Sequence, residues 1–196
     1  MSSQEGLIPL SPDGLYPVPG DYIDVQMDSM DGPSHALEND GKFLYTSSLA
    51  TCIGIAISGV YPSDKPSPPR KKGYDRFMIH TSELMEAENY AALREEVEAA
   101  KAKGLQDLEA HVTACDPVSN TSQAEVVSSS ETQKSLKERL RELVGSDDRI
   151  HWYPYQFDPS YDASMALFSD LTVIVEQGTL GDPGQPPSRW RLDEKK

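Results

Sequence analysis

Cysteine is almost absent. Cys52 and Cys115 are the only two in 196 residues, too few for the disulfide framework of a small secreted domain, and nothing in their spacing requires them to pair. Positive charge is short as well. Eighteen Lys and Arg stand against 32 Asp and Glu, a formal net charge of −14. That balance argues against a nucleic-acid grip, because phosphate binding needs a basic field that releases counterions. The acidity serves solubility first and attraction for a basic protein partner second. No apolar run approaches the roughly 20 residues of a membrane span, so no membrane partner is expected. The opening "MSSQEGLIPL" has neither the basic n-region nor the apolar h-region of a secretory signal. A cytoplasmic protein is the expectation, with a processed or exported one as the alternative. Glycine fingerprints for phosphate are missing too, since "GIAISGV" has the wrong spacing. There is no HExxH, no CxxC and no His, Cys and carboxylate cluster at ligand spacing, so neither a cofactor nor a metal is expected.

What the chain does have is a length suited to one domain of ordinary size, with its prolines and glycines gathered in a few stretches. Residues 1–20 read as an irregular lead-in, 21–178 as one domain, and 179–196 as a linker-like tail. "DYIDVQM" alternates Ile23, Val25 and Met27 against Asp24 and Gln26, as a half-buried strand does. "DSMDGPSHALENDG" reads as a loop that includes His35. "KFLYTSSLA" and "CIGIAISGV" read as two strands, or as one strand broken near Leu49–Thr51. The segment 61–74, "YPSDKPSPPRKKGY", is too rich in proline for a helix or central strand and reads as an exposed excursion. "RFMIH" is then a short strand ending at His80.

A helix follows, capped by Thr81 or Ser82, with Glu83 and Glu86 in its first turn where the dipole favours anions. Tyr90, Leu93, Val97 and Ala100 form its buried stripe, and Gly104 stops it. "LEAHVTA" alternates Leu108, Ala110, Val112 and Ala114 inward, with His111 on the opposite face. "PVSNTSQAEVVSSS" is ambiguous between loop and frayed helix. Ser130 and Gln133 have capping-box spacing before the Leu136, Leu140 and Leu143 stripe, which Gly145 ends. "RIHWYPYQF", "SMALFS" and "LTVIVEQ" are further strands. Strands before, between and after two main helices give an α/β (α+β) class, a single layered sandwich with mixed and largely antiparallel strands.

The chemistry worth testing centres on Cys52, which opens an apolar strand behind a run of hydroxyl residues. A thiol becomes a nucleophile when a histidine favours its thiolate and a third group orients that ring. A hairpin-like return would bring Cys52 and His80 to one end of a sheet, with Thr46 on the preceding strand reaching the same end. The structural alternative is plain: a cysteine in an apolar strand is more often core packing. Cys115 reads as a packing residue and His151, beside Trp152 and Tyr153, as structural.

The order Thr-x5-Cys, a strand, a His-ended strand and a helix resembles the chemoreceptor glutamine deamidases (CheD). It is also similar to the catalytic domains of cytotoxic necrotizing factor and of the Burkholderia lethal factor toxin. The residues that carry the resemblance are "TSSLATC" and "RFMIHTSEL", within a stretch of roughly 42–175. Ala50 and Thr51 stand where that family usually has a glycine before the cysteine. The Cys-to-His interval is 28 residues, lengthened by the proline-rich segment. The resemblance implies an α/β sandwich and a Cys52–His80–Thr46 site that deamidates glutamine in a protein substrate, with no cofactor. Backbone N–H groups at Thr51 and Cys52 would hold the oxyanion. Arg70, Lys71 and Lys72 are candidate substrate contacts, or simply a solvated charge run. Another cysteine hydrolase or a transglutaminase fits the same residues, and a non-catalytic interaction domain with a packed Cys52 fits the composition. Housekeeping enzymes and exported toxins both occur among the proteins it resembles.

Overall fold

A computed structural model of the chain describes residues 22–27, 35–38, 42–47, 49, 51–62, 73–83, 85–116, 123–155, 161–179 and 188–191. The lead-in 1–20 and Arg70, Lys71 and Lys72 lie outside the described residues. The strands are β1 (Tyr22–Asp24), β2 (His35–Glu38), β3 (Phe43–Thr46), β4 (Ile53–Val60), β5 (Arg76–Thr81), β6 (Gln106–Cys115), β7 (Ile150–Tyr155), β8 (Tyr161–Leu167), β9 (Val173–Thr179) and β10 (Ser188–Arg191). The helices are α1 (Glu86–Ala102) and α2 (Gln123–Val144).

Among the described residues these strands form two sheets, ordered β2-β5-β4-β6-β7 and β1-β3-β8-β9-β10. Pairing is antiparallel except for β1 with β3 and β6 with β7. The architecture is the expected α+β sandwich, in three layers: helices, a first sheet, a second sheet.

The middle layer explains the apolar run of β4. This strand lies between β5 and β6 and is covered on both faces, so it reads as continuously apolar. Its two faces differ in size. Ile53, Ile55 and Ile57 point at the helices and join Tyr90, Leu93, Val97, Leu136 and Leu140 in one core. The small residues between them face the second sheet, where Ala56 packs with Met78, Leu44, Met165, Leu167 and Val175. Each fully buried Leu or Ile contributes about 1.5–3 kcal/mol by leaving water, so the helix-facing cluster holds the layers together.

Several boundaries differ from the sequence reading. His35–Glu38 is a strand, not a loop, because it pairs in register with β5 from His35↔Ile79 to Glu38↔Arg76. Ser188–Arg191, within the expected tail, is a strand on the edge of β9. Helix α1 begins at Glu86, so neither Thr81 nor Ser82 is its N-cap. The Ser82 hydroxyl instead accepts from the Met85 N–H in the turn ahead, at 3.3 Å. Helix α2 starts at Gln123, which places Ser130 and Gln133 inside it and rules out a capping box there. The Gln133 side chain has a different partner: its amide donates to the Cys115 carbonyl at 2.7 Å and ties the helix to the end of β6. Gly104 and Gly145, both at positive φ, follow the two helices as expected.

Candidate functional site

The register across the middle sheet sets out the site row by row on the face turned toward the second sheet. Gly54 pairs with His80 on one side and with Thr113 on the other, and Thr113 pairs with Tyr153. Paired residues share a face, so Tyr153, Thr113, Gly54 and His80 form one row. Two residues further along, Cys115 pairs with Tyr155. Cys52 packs with both of them and with Leu49 and Ala163. Ala163 belongs to β8 of the second sheet, so the Cys52 side chain points into the gap between sheets. Cys52 precedes Gly54, the register partner of His80, by two residues, which sets the two on one face.

Thr46 reaches this gap from the other wall. The sequence reading placed it on a neighbouring strand at one sheet end; the structure puts β3 and β4 in different sheets. Thr46 meets His80 across the interface, with Oγ1 2.8 Å from His80 Nδ1. The same hydroxyl donates to the Val25 carbonyl at 2.7 Å. A threonine hydroxyl has one proton. With that proton on the carbonyl, Thr46 accepts from His80, so the network assigns the imidazole proton to Nδ1 and the lone pair to Nε2. Both residues are buried, Thr46 completely and His80 to within 3 %. A third group orienting a histidine in one tautomer is the arrangement that a nucleophile's general base requires.

The strand end that carries His80 is pinned from the helix layer. Asn89 of α1 donates to Thr81 Oγ1 at 2.8 Å, and Thr81 donates to the Ser82 carbonyl at 3.0 Å. The segment before β4 is pinned from the opposite edge. Tyr155 donates its hydroxyl to the Cys52 carbonyl at 2.6 Å, and the Leu49 N–H donates to the Ala163 carbonyl at 3.1 Å. Thr51 is exposed at the bend ahead of Cys52. Cys52 itself is only 6 % exposed, and its thiol lies 3.0 Å from Met27 Sδ. Met27 is 43 % exposed, so it forms the outer cover of the thiol.

Three contributors escape sequence inspection. Met27 and Tyr155 lie 25 and 103 residues from Cys52, and no local pattern joins them. Thr113 Oγ1 is buried beside Gly54 without a hydrogen-bond partner among the described residues, visible only once the strands are in register. Gly54 has no room for a side chain. A Cβ there would stand 3.0 Å from Thr113 Cγ2 and 3.2 Å from a Leu49 methyl, so glycine keeps the space between His80 and Thr113 open.

His35 lies on β2, whereas His111 and His151 are directly paired on β6 and β7. Burial, reinforced by the adjacent His151, pushes the His111 ring down to about 3, so it is neutral. Burial and the Glu109 carboxylate raise the Tyr153 phenol. Glu109, His111 and His151 converge into a group of the kind that holds metals. The sequence expectation had no such cluster, since residue 151 is distant in the chain and parallel pairing alone brings it to 111. Among the described residues, no helix is long and apolar enough to cross a membrane. No family model matches the chain, and no curated protein matches it significantly.

Proposed function

We propose that the protein is a thiol-dependent amidohydrolase that deamidates glutamine side chains of a protein substrate, with Cys52 as nucleophile, His80 as base and acid, and Thr46 as the residue that orients His80. The observation that carries this reading is the hydrogen bond between Thr46 and His80 Nδ1 across the sheets. It leaves the Nε2 lone pair of a buried, singly oriented imidazole on the face that Cys52 shares. The resemblance to the glutamine deamidases rests on these same three residues.

In this reading His80 Nε2 takes the thiol proton and the Cys52 thiolate attacks the glutamine carboxamide carbon. The N–H groups at Thr51 and Cys52 hold the oxyanion. His80 returns the proton to the departing nitrogen, and ammonia leaves as the thioester forms. His80 then takes a proton from water, hydroxide adds to the thioester, and glutamate and the free thiol result. Met27 must move aside for a side chain to reach the thiol. A hydrolase of this kind needs no cofactor, and it acts in the cytoplasm unless the chain is exported.

One observation favours a second reading. Cys52 is packed among Leu49, Cys115, Tyr155 and Ala163, as a structural cysteine of a non-catalytic interaction domain would be. Alkylation separates the two. A catalytic Cys52 reacts with iodoacetamide well below the pH range of an ordinary thiol, and His80→Ala slows it. Mass spectrometry of partner proteins then shows a one-dalton gain on glutamine (amide to acid) with the wild type and none with Cys52→Ala. Equal, slow labelling of Cys52 and Cys115 in the wild type would sink the enzymatic reading.

A further inference from the structure

The geometry points to a binding site for one first-row divalent transition cation, of the Zn(II) type, at Glu109, His111 and His151. The site is independent of the proposed hydrolase chemistry. From strand spacing, His111 is two strands and two residues away from His80, about 12 Å. Glu109 and His111 are alternate residues of β6 and point to one face; His151 is the register partner of His111 on β7. The three side chains thus project from a paired sheet backbone rather than from loops, which limits the rearrangement that binding requires.

Each side chain offers one ligand atom, and these atoms all lie within 4.8 Å of one another. Both imidazoles turn Nε2 toward one carboxylate oxygen, Glu109 Oε2, at 3.9 Å from His111 and 3.6 Å from His151. Neither distance is a hydrogen bond, and His151 Nε2 is a buried atom with no hydrogen-bond partner among the described residues. Two donors about 2.0–2.1 Å from a tetrahedral ion stand about 3.4 Å apart, slightly less than these separations. An ion therefore draws Glu109 toward each imidazole by a few tenths of an ångström and closes the widest spacing among the ligand atoms, up to 4.8 Å, by about 1.4 Å. The His111 and His151 rings are stacked 4.6 Å apart at 18°, so binding also opens the stack by rotating His151, whose side chain at the sheet edge is 23 % exposed.

A second shell is already present. His111 Nδ1 lies 3.4 Å from the Tyr153 hydroxyl, and a proton on Nδ1 directed there leaves the Nε2 lone pair for the metal. The Glu109 side chain is 42 % exposed, which supplies a route from solvent. Two imidazoles and one carboxylate suit a borderline cation such as Zn(II) rather than Ca(II) or Mg(II), which prefer all-oxygen shells. Three protein donors leave the last position to water.

The test is calorimetric titration of the full-length, chelator-stripped protein with Zn(II), alongside thermal melts. The expected result is one equivalent bound with a micromolar or tighter Kd, and a melting temperature raised by about 5–10 °C at a hundredfold excess over Kd. His151→Gln and Glu109→Gln should each weaken binding by more than about 10-fold, since even outer-shell partners cost that much. Cys52→Ala should keep the equivalent. Glu109→Gln, at a partly exposed position, carries the test if His151→Gln fails to fold. The proposal is overturned if the wild type takes up no equivalent at 100-fold molar excess, if both Gln variants bind like the wild type, or if the equivalent disappears with Cys52→Ala.

Discussion

Replacing Thr46 by valine keeps the side-chain shape and removes one hydroxyl, and the structure says what that hydroxyl holds. Its loss strands two buried groups: the His80 Nδ1–H at 2.8 Å and the Val25 carbonyl at 2.7 Å. An unsatisfied buried donor or acceptor costs about 1–3 kcal/mol. The two together predict about 2–6 kcal/mol, or about 4–24 °C of melting temperature for a chain of this size. Thr46→Ser is the control: it retains the hydroxyl and deletes one buried methyl, worth about 1 kcal/mol. Urea denaturation of both variants isolates the hydroxyl, because the methyl is common to wild type and Val. Imidazole nitrogen shifts read the same bond directly. In the wild type His80 should appear as the Nδ1–H tautomer, and in Thr46→Val that preference should weaken. A Val variant as stable as the Ser variant, or a wild-type His80 protonated on Nε2, would refute the bridge between the sheets and with it the orienting role of Thr46.

Two further predictions probe the frame around the site. Gly54→Ala should destabilise by about 1–3 kcal/mol in denaturant melts, the usual cost of overpacking, because the new methyl meets Thr113 at 3.0 Å and Leu49 at 3.2 Å; wild-type stability would show that Thr113 and Leu49 yield freely. Tyr90, whose hydroxyl donates to the Arg139 carbonyl at 2.8 Å, is pushed up to about 12, chiefly by burial. Between pH 10 and 12 the unfolded phenol loses its proton while the folded one keeps it, so stability falls as pH rises, by about 2–3 kcal/mol in all. Tyr90→Phe should remove that share of the alkaline loss, and parallel pH–stability curves for the two proteins would refute the buried-phenol account.

Much of this architecture can be read from local pattern. The 3-4-3 spacing of Tyr90, Leu93, Val97 and Ala100 gives the buried face of α1, and all four are buried. The apolar stretch 53–59 becomes the centre of the middle layer, where a continuous run belongs. The edges are harder. "HALE" and "SRWR" carry no clear alternation, yet both pair along their length with a neighbouring strand. An edge strand has one solvent-facing side and short pairing, so its composition resembles a loop. Ser130 and Gln133 match a helix start in spacing, but the helix begins upstream, since capping chemistry is permissive and helix length is decided by what the helix packs against.

The sequence by itself supplied the candidate groups: a thiol at the head of β4, an imidazole at the end of β5, and a hydroxyl six positions before the thiol. An antiparallel return between adjacent apolar strands suffices to bring the first two to one sheet end. Tertiary structure alone decided that Thr46 bonds His80 from the opposite sheet, that Met27 and Tyr155 enclose Cys52, and that His151 stands beside His111. The reason is physical. Local periodicity reports which face of a strand is buried, whereas the packing of two sheets and the parallel pairing of β6 with β7 join residues across intervals on which local pattern is silent.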